Sequence, residues 1–205
     1  MIDLYAAPTS NGVRAKIMLD ECGLPYTLHK MNLQAGDHKK PEYLKLNPNG
    51  AIPTIVDSDG PGGKQVVTAQ SVAILVYLAE KSGKFIPADP VRRIEMFEGL
   101  LNVASDVSGS LAAAFTLNRE KEPHKPSIEM FGRRYTNYLK VWDGKFASRK
   151  HCVGDEATIC DFALYGVVAR GNQVMPQLIE GLDNLGRWLG DMAARPGTQK
   201  GMNFG

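Results

Sequence analysis

The order of hydrophobic patterns in the first eighty residues limits the possible folds more than any other feature of the chain. IDLY (residues 2–5) has the length and alternation of a short strand. GVRAKIMLDECG (12–23) places Val13, Ile17 and Met18 at helical spacing and stops at Gly23. YTLHKMN (26–32) alternates as a second strand. KKPEYLKLNP (39–48) is a short helix, with Pro41 near its start and Pro48 ending it. TIVD (54–57) and QVVT (65–68) are two further strands around the turn-rich SDGPGGK, and QSVAILVYLAEKSG (70–83) is a helix. The order β-α-β then β-β-α predicts a parallel, right-handed first crossover and an antiparallel last pair. The expected fold class is therefore α/β plus all-α, opening with a small mixed four-stranded sheet. Val72, Ile74, Leu75, Val76 and Leu78 make the last helix apolar nearly all round. One side is expected to face the sheet and the other a second domain.

SGKFIPADP (82–90) reads as a linker, and strand signals vanish after it. Long helices are predicted over 91–117 and 127–147, separated by the polar REKEPHKPS, and shorter ones over 159–170 and 178–195. The expected division is a first domain at 1–81, a linker at 82–90 and an all-helical domain at 91–205. In ATICDFALYG, Thr158 and Asp161 have the spacing of a helix capping box. Asp161 is accordingly read as holding a helix start rather than as catalytic.

Bulk properties exclude several functions. Lys and Arg number 24 against 22 Asp and Glu, and no basic block appears, so nucleic acid is not an expected partner. No continuous apolar run approaches the roughly 18 residues of a membrane span. The N-terminal MIDLYAAPTSNG has no basic stretch of the secretory kind. Cys22, Cys152 and Cys160 form neither a CxxC nor a metal-ligand spacing. Cys22 and Cys160 lie in apolar helical patterns and are expected to be buried, Cys152 to be more exposed beside His151. A sparse, odd count fits a reducing, cytoplasmic setting, and no metal is expected.

NPNGAIPTIVD (47–57) contains a conflict. Its β-branched run predicts a buried strand, yet Pro53 has no N–H for a sheet ladder. That conflict is resolved by a resemblance. LYAAPTSNG, LNPNGAIPTIVD and AQSVAILVYLAEK, with the linker and ATICDFAL, together resemble the cytosolic glutathione transferases over essentially the whole chain. The likeness is closest to the bacterial Nu-type branch of disulfide-bond oxidoreductases and to the fungal nitrogen-regulator proteins. It implies a thioredoxin-like first domain that binds glutathione, and a helical second domain that walls the second-substrate pocket. It also implies a cis bond before Pro53, leaving the backbone of Ile52 to pair with the cysteinyl backbone of the ligand as an added strand would.

Glutathione chemistry requires a thiolate, and a helix N-terminus with nearby donors lowers a thiol pKa from its usual value near 8.5. PTSNG (8–12) supplies such a place, with Tyr5, Thr9, Ser10 and Asn11 as competing donors. By resemblance Thr9 and Asn11 face the sulfur. Ser10 stands where that branch more often has proline, so the sulfur's main partner stays open. Asn11 is also read as a plain N-cap. The resemblance assigns Gln70 and Ser71 to the γ-glutamyl group and His38, beside Lys39 and Lys40, to the glycine carboxylate. It assigns Arg134, beside Arg133, to the ligand, with a surface salt bridge as the alternative. In VSGSLAAAFTLN (107–118), Phe115 anchors the second-substrate pocket or simply packs between helices. The reading is a homodimeric enzyme that uses the glutathione thiolate for disulfide reduction or for conjugation to small electrophiles in detoxification. A glutathione-binding or regulatory protein without turnover is the alternative.

Overall fold

Ile2, Leu4 and Ala6 are buried while Asp3 and Tyr5 are half-buried, the alternation of a strand with one face against a core. The computed structural model describes residues 1–205. The strands are β1 (Ile2–Ala6), β2 (Tyr26–Lys30), β3 (Thr54–Asp57) and β4 (Val66–Ala69), in the spatial order β2-β1-β3-β4. β1 runs parallel to β2 and β3 antiparallel to β4, as the sequence predicts, and β1 also pairs antiparallel with β3. Helices α1 (Ser10–Cys22), α2 (Pro41–Leu44) and α3 (Ser71–Ser82) complete this part of the chain. α1 and α3 pack together on one face of the sheet. The Tyr43 hydroxyl of α2 meets Thr54 while Tyr77 of α3 meets Asp57. Residues three apart on a strand point to opposite faces, so α2 covers the other side.

Register places four loops together. Ala6 pairs with Lys30, Tyr5 with Thr54, and Thr54 with Ala69. The ends of β1, β2 and β4 and the start of β3 therefore share one end of the sheet. The segments that leave or enter there carry Thr9–Asn11, His38, Ile52–Pro53 and Gln70–Ser71.

Two compact units emerge, Met1–Lys84 with Ala194–Gly205, and Phe85–Ala193. This corrects the expected 91–205 domain at its C-terminus. The helix predicted over 178–195 is shorter, α8 (Asp183–Ala193), and a helix the sequence reading did not include, α9 (Pro196–Met202), follows it. Pro196 cannot continue a helix, and Arg195 before it is extended, with φ −67° and ψ 133°. α9 turns back onto α1. Gly201 makes the close approach possible, since a Cβ there would lie 2.5 Å from Ile17 Cα. Arg195 Nε and Nη2 donate to Glu21 at 3.0 and 2.6 Å, and Lys16 donates to the Lys200 carbonyl at 2.8 Å.

The second unit contains α4 (Pro90–Asn102), a π-helical turn at Val103–Val107, α5 (Ser108–Leu117), α6 (Lys125–Phe146), α7 (Ile159–Val174) and α8. The predicted helix over 91–117 is thus interrupted, by a turn that puts both Val103 and Val107 in the core. The path Pro90–Leu117 is long and apolar enough, by length and composition alone, to cross a membrane, contrary to the sequence expectation. Met96, Leu100, Val103, Val107, Leu111 and Ala114 along it are buried within the protein. Trp142, Phe146 and Trp188 stack in succession, with ring centroids 6.0 and 4.8 Å apart.

The capping box is present: the Thr158 N–H and hydroxyl donate to Asp161 Oδ2 at 2.9 and 3.1 Å. Asp161 Oδ1 accepts from the Cys152 N–H, the Trp188 indole and His151 Nδ1 at 2.9, 3.0 and 3.3 Å. Burial pushes the Asp161 carboxyl up, but the hydrogen bonds from His151, Thr158 and Cys152 outweigh it and hold the group below its ordinary 3.8. All three cysteines are buried, which corrects the expected exposure of Cys152. The bridge between His151 and Gly154 folds its segment inward.

Candidate functional site

α1 begins at the turn leaving β1. Thr9 is extended, with φ −105° and ψ 163°, and its hydroxyl accepts from the Gly12 N–H at 3.1 Å. Thr9, not Asn11, is therefore the N-cap. Gly12 lets the helix start directly against β1, because a Cβ there would sit 2.1 Å from the Ala7 carbonyl oxygen. The Ser10 hydroxyl, on the first residue of α1, has no hydrogen-bond partner within the chain. Beside this turn lies a cavity of about 350 Å³, lined by Ala7, Pro8, Thr9 and residues 30–34.

Asn11 is exposed, yet its amide is fixed from behind. Arg14 Nη1 donates to its Oδ1 at 2.7 Å and the Ser71 hydroxyl at 3.3 Å. A guanidinium has donors only, so the oxygen of Asn11 must face Arg14, and the NH2 group must face away. Arg14 also reaches Ser71 Oγ at 3.4 Å and is only 1% exposed. The set Asn11–Arg14–Ser71 thus joins the starts of α1 and α3. Sequence reading missed Arg14. Its signal was an arginine three residues after Asn11, on a helix whose other residues are mostly apolar.

α3 offers a different kind of start. Gln70 precedes it with φ 71° and ψ 113°, outside the conformations that a non-glycine residue adopts without strain, and provides no side-chain cap. The first helical hydrogen bond is made by Ile74 to Gln70, which leaves the N–H groups of Ser71, Val72 and Ala73 for an anion. The Ser71 side chain is engaged by Asn11 and Arg14, so its backbone rather than its hydroxyl is what remains available.

The bond between Ile52 and Pro53 is cis, and neither the N–H nor the C=O of Ile52 has a partner within the chain. The turn before it is tightly held. Tyr43 Oη and Asn47 Nδ2 both donate to the Ala51 carbonyl at 2.6 Å. Gly50, at φ 54°, lies against the His38 carbonyl, which a Cβ would approach to 2.9 Å. His38 Nδ1 is buried without a hydrogen-bond partner. Its neighbours are engaged: Lys39 donates to the Gly50 carbonyl at 3.0 Å, and Lys40 pairs with Asp37 at 2.7 Å.

Tyr5 belongs elsewhere. It stacks on His29 at 4.4 Å and tilts against Tyr43 at 5.9 Å, on the α2 face of the sheet and away from Asn11 and Ser71. Burial, and secondarily Asp3, push its phenol up, so it stays protonated. Two expected residues lie in the second unit. Arg134, like Arg133, is exposed on α6 and forms no ion pair, so the alternative surface salt bridge is not made. Phe115 is half-buried on α5, flanked by the guanidinium groups of Arg119 and Arg170 at 5.3 and 5.5 Å from its ring centroid.

A β-α-β-α-β-β-α unit with a cis-proline turn and two helix starts converging at one sheet end defines a thioredoxin-like domain. Residues 10–81 match the glutathione S-transferase N-terminal domain and residues 109–196 the glutathione S-transferase C-terminal domain, and the chain belongs to that family. It is 44% identical over 167 residues to the disulfide-bond oxidoreductase YfcG of Escherichia coli, covering 80% of this chain and 78% of that protein. The structure is similar to a glutathione transferase family member from Pseudomonas fluorescens with two glutathione bound. The TM-score is 0.92 at 30% identity, covering 98% of this chain and 92% of that one. A glutathione transferase from Pseudomonas putida, with one glutathione disulfide bound per subunit, gives 0.92 at 29% identity, covering 99% and 91%.

Proposed function

We propose that this protein binds glutathione at the shared end of its sheet and uses the bound thiolate to reduce disulfides, with conjugation to electrophiles as a second outlet. The observation that carries the reading is the Asn11 amide, anchored through its oxygen by Arg14 and Ser71 so that its N–H groups face outward at the start of α1. A thiolate placed there receives a fixed hydrogen bond and the field of the helix N-terminus. The unpaired backbone of Ile52 accepts the cysteinyl residue of the peptide. The open N–H groups of α3, with Gln70, receive the γ-glutamyl carboxylate, and His38 the glycyl carboxylate. Thr9, already spent on its cap, acts with Ser10 as a neighbouring hydroxyl. Arg134 and Phe115 are assigned to the ligand and to the second-substrate pocket.

In the reaction the thiolate attacks one sulfur of a disulfide, that S–S bond breaks, and the departing thiolate takes up a proton. A second glutathione resolves the mixed disulfide. The glutathione and glutathione disulfide bound by the two Pseudomonas proteins, and the name of the E. coli relative, support this choice of chemistry. Because the thiols come from glutathione, the variant with Cys22, Cys152 and Cys160 all replaced by serine is expected to retain disulfide reductase activity when folded. A folded triple variant that binds glutathione but has lost turnover would sink the mechanism. Wild-type protein that binds glutathione, yet turns over disulfides and electrophiles no faster than buffer, would establish the binding-protein alternative.

The reading includes a homodimer. Val91, Ile94 and Leu101 are 74, 70 and 61% exposed at one-face spacing on α4, an apolar stripe that a second copy would cover. Ile94→Glu is expected to convert a dimer to a monomer in sedimentation experiments. Unchanged dimer mass would move the interface to another surface.

A further inference from the structure

The geometry points to a second thiol site, remote in kind from the glutathione one: we propose that Cys152 and Cys160 form an internal disulfide that staples the 151–158 loop to the start of α7. The two residues are eight apart, but the loop folds back on itself. The His151 N–H donates to the Gly154 carbonyl at 2.9 Å, and Gly154 makes the reversal with φ 82°. The Cys152 N–H then donates to Asp161 Oδ1 at 2.9 Å, which brings it beside Cys160, the neighbour of Asp161 on α7. The two thiols lie near enough to each other to interact. Space for the Cys160 sulfur is kept by Gly99 of α4, where a Cβ would come within 2.9 Å of it.

The pair is shielded in the reduced protein. Cys152 is 1% exposed and Cys160 wholly buried. Burial foremost, then the neighbouring Cys160 thiol and the charge of Asp161, hold the Cys152 thiol well above its ordinary value. A neutral, buried thiol is a poor nucleophile. Oxidation therefore requires the 151–160 segment to open, and its rate follows that opening rather than oxidant concentration alone. The oxidant is a glutathione disulfide or another small disulfide. One cysteine thiolate attacks it, releasing one thiol and leaving a mixed disulfide. The second cysteine displaces the other thiol, so one S–S bond forms as one breaks and two S–H protons pass to the released thiols. The closed loop pins Thr158 and Asp161 at the start of α7. It restricts the unfolded chain, raising the stability of the oxidised form.

The test refolds full-length protein from urea with either glutathione disulfide or dithiothreitol present, then blocks free thiols and maps the peptides. With glutathione disulfide, the expected product has a mass lower by two hydrogen atoms, residues 152 and 160 in one cross-linked peptide, and Cys22 alkylated. Its melting temperature is expected to be about 5 °C above that of the reduced form, reverting on reduction. Cys152→Ser and Cys160→Ser proteins should show neither change. Native protein given glutathione disulfide without urea should reach the same product, more slowly. Refolded protein with Cys152 and Cys160 both alkylated, one of them stably glutathionylated, or the cross-linked form melting below the reduced one would each overturn the proposal. None of these results depends on turnover.

Discussion

Asn11→Ala is expected to reduce kcat for glutathione-dependent disulfide reduction about 100-fold while leaving the fold intact, the usual effect of deleting one fixed donor to a developing or resident anion. The basis is orientation. The Asn11 oxygen is held at 2.7 Å by Arg14 and at 3.3 Å by Ser71, so under the proposed function the amide would donate to the sulfur without having to be ordered first. With alanine the bound thiol loses that donor and drifts toward the pKa of about 8.5 of a free thiol. The alkaline rise of the pH–rate profile should therefore move to higher pH in the variant, and activity should partly recover there. Glutathione affinity should fall much less, because the Ile52 backbone and the α3 N–H groups are untouched. Stopped-flow turnover between pH 6 and 9, with calorimetric titration of glutathione, reads both quantities. An Asn11→Ala enzyme with unchanged kcat and an unshifted profile would transfer the sulfur contact to Thr9 or Ser10.

Replacing Asp161 should be costly to stability rather than to chemistry. Its two oxygens accept from the Thr158 N–H and hydroxyl, the Cys152 N–H, the Trp188 indole and His151, all in the core of the second unit. Asp161→Ala strands several buried donors at once, and a loss of about 3–5 kcal/mol is expected from urea unfolding. The charge contributes separately. The folded carboxyl is held below 3.8, so its contribution is complete above that pH and is lost as pH falls through the lower folded value. The gap between wild type and Asp161→Asn should be widest near neutrality and close below pH 3.8. A gap that widens on acidification would mean that the carboxylate is not the stabilised form.

Much of this was legible in the residues. Val13, Ile17 and Met18 at helical spacing, Gly23 as a stop, and the strand runs TIVD and QVVT are local signals, and the elements formed there, the last strand one residue later at Val66–Ala69. Pro53 marked a conflict with the strand pattern, the family resemblance implied a cis bond that leaves Ile52 unpaired, and that is its state in the fold. What was missed involved partners distant in sequence. Asn11 was read as a possible cap, but Thr9 takes that bond, and Asn11 instead meets a residue 60 positions away. Cys152 was expected nearer the surface because nothing in its immediate neighbourhood reveals that the loop folds inward onto Asp161. The helix read over 178–195 stops at Ala193, and α9, which Pro196 starts and which packs on α1, was not read at all.

The sequence by itself determined the order of strands and helices along the first eighty residues, the parallel first crossover, the antiparallel last pair and the Thr158–Asp161 capping box. These follow from periodicity and from backbone preferences that act over a few residues. Tertiary structure alone decided that Arg14 would lock the Asn11 amide, that the Ser71 hydroxyl would be engaged by both, and that the Cys152 loop would fold onto Asp161. Each of those outcomes depends on sheet register and on which loops meet at one end, and register is set by the packing of whole faces rather than by any local stretch of chain.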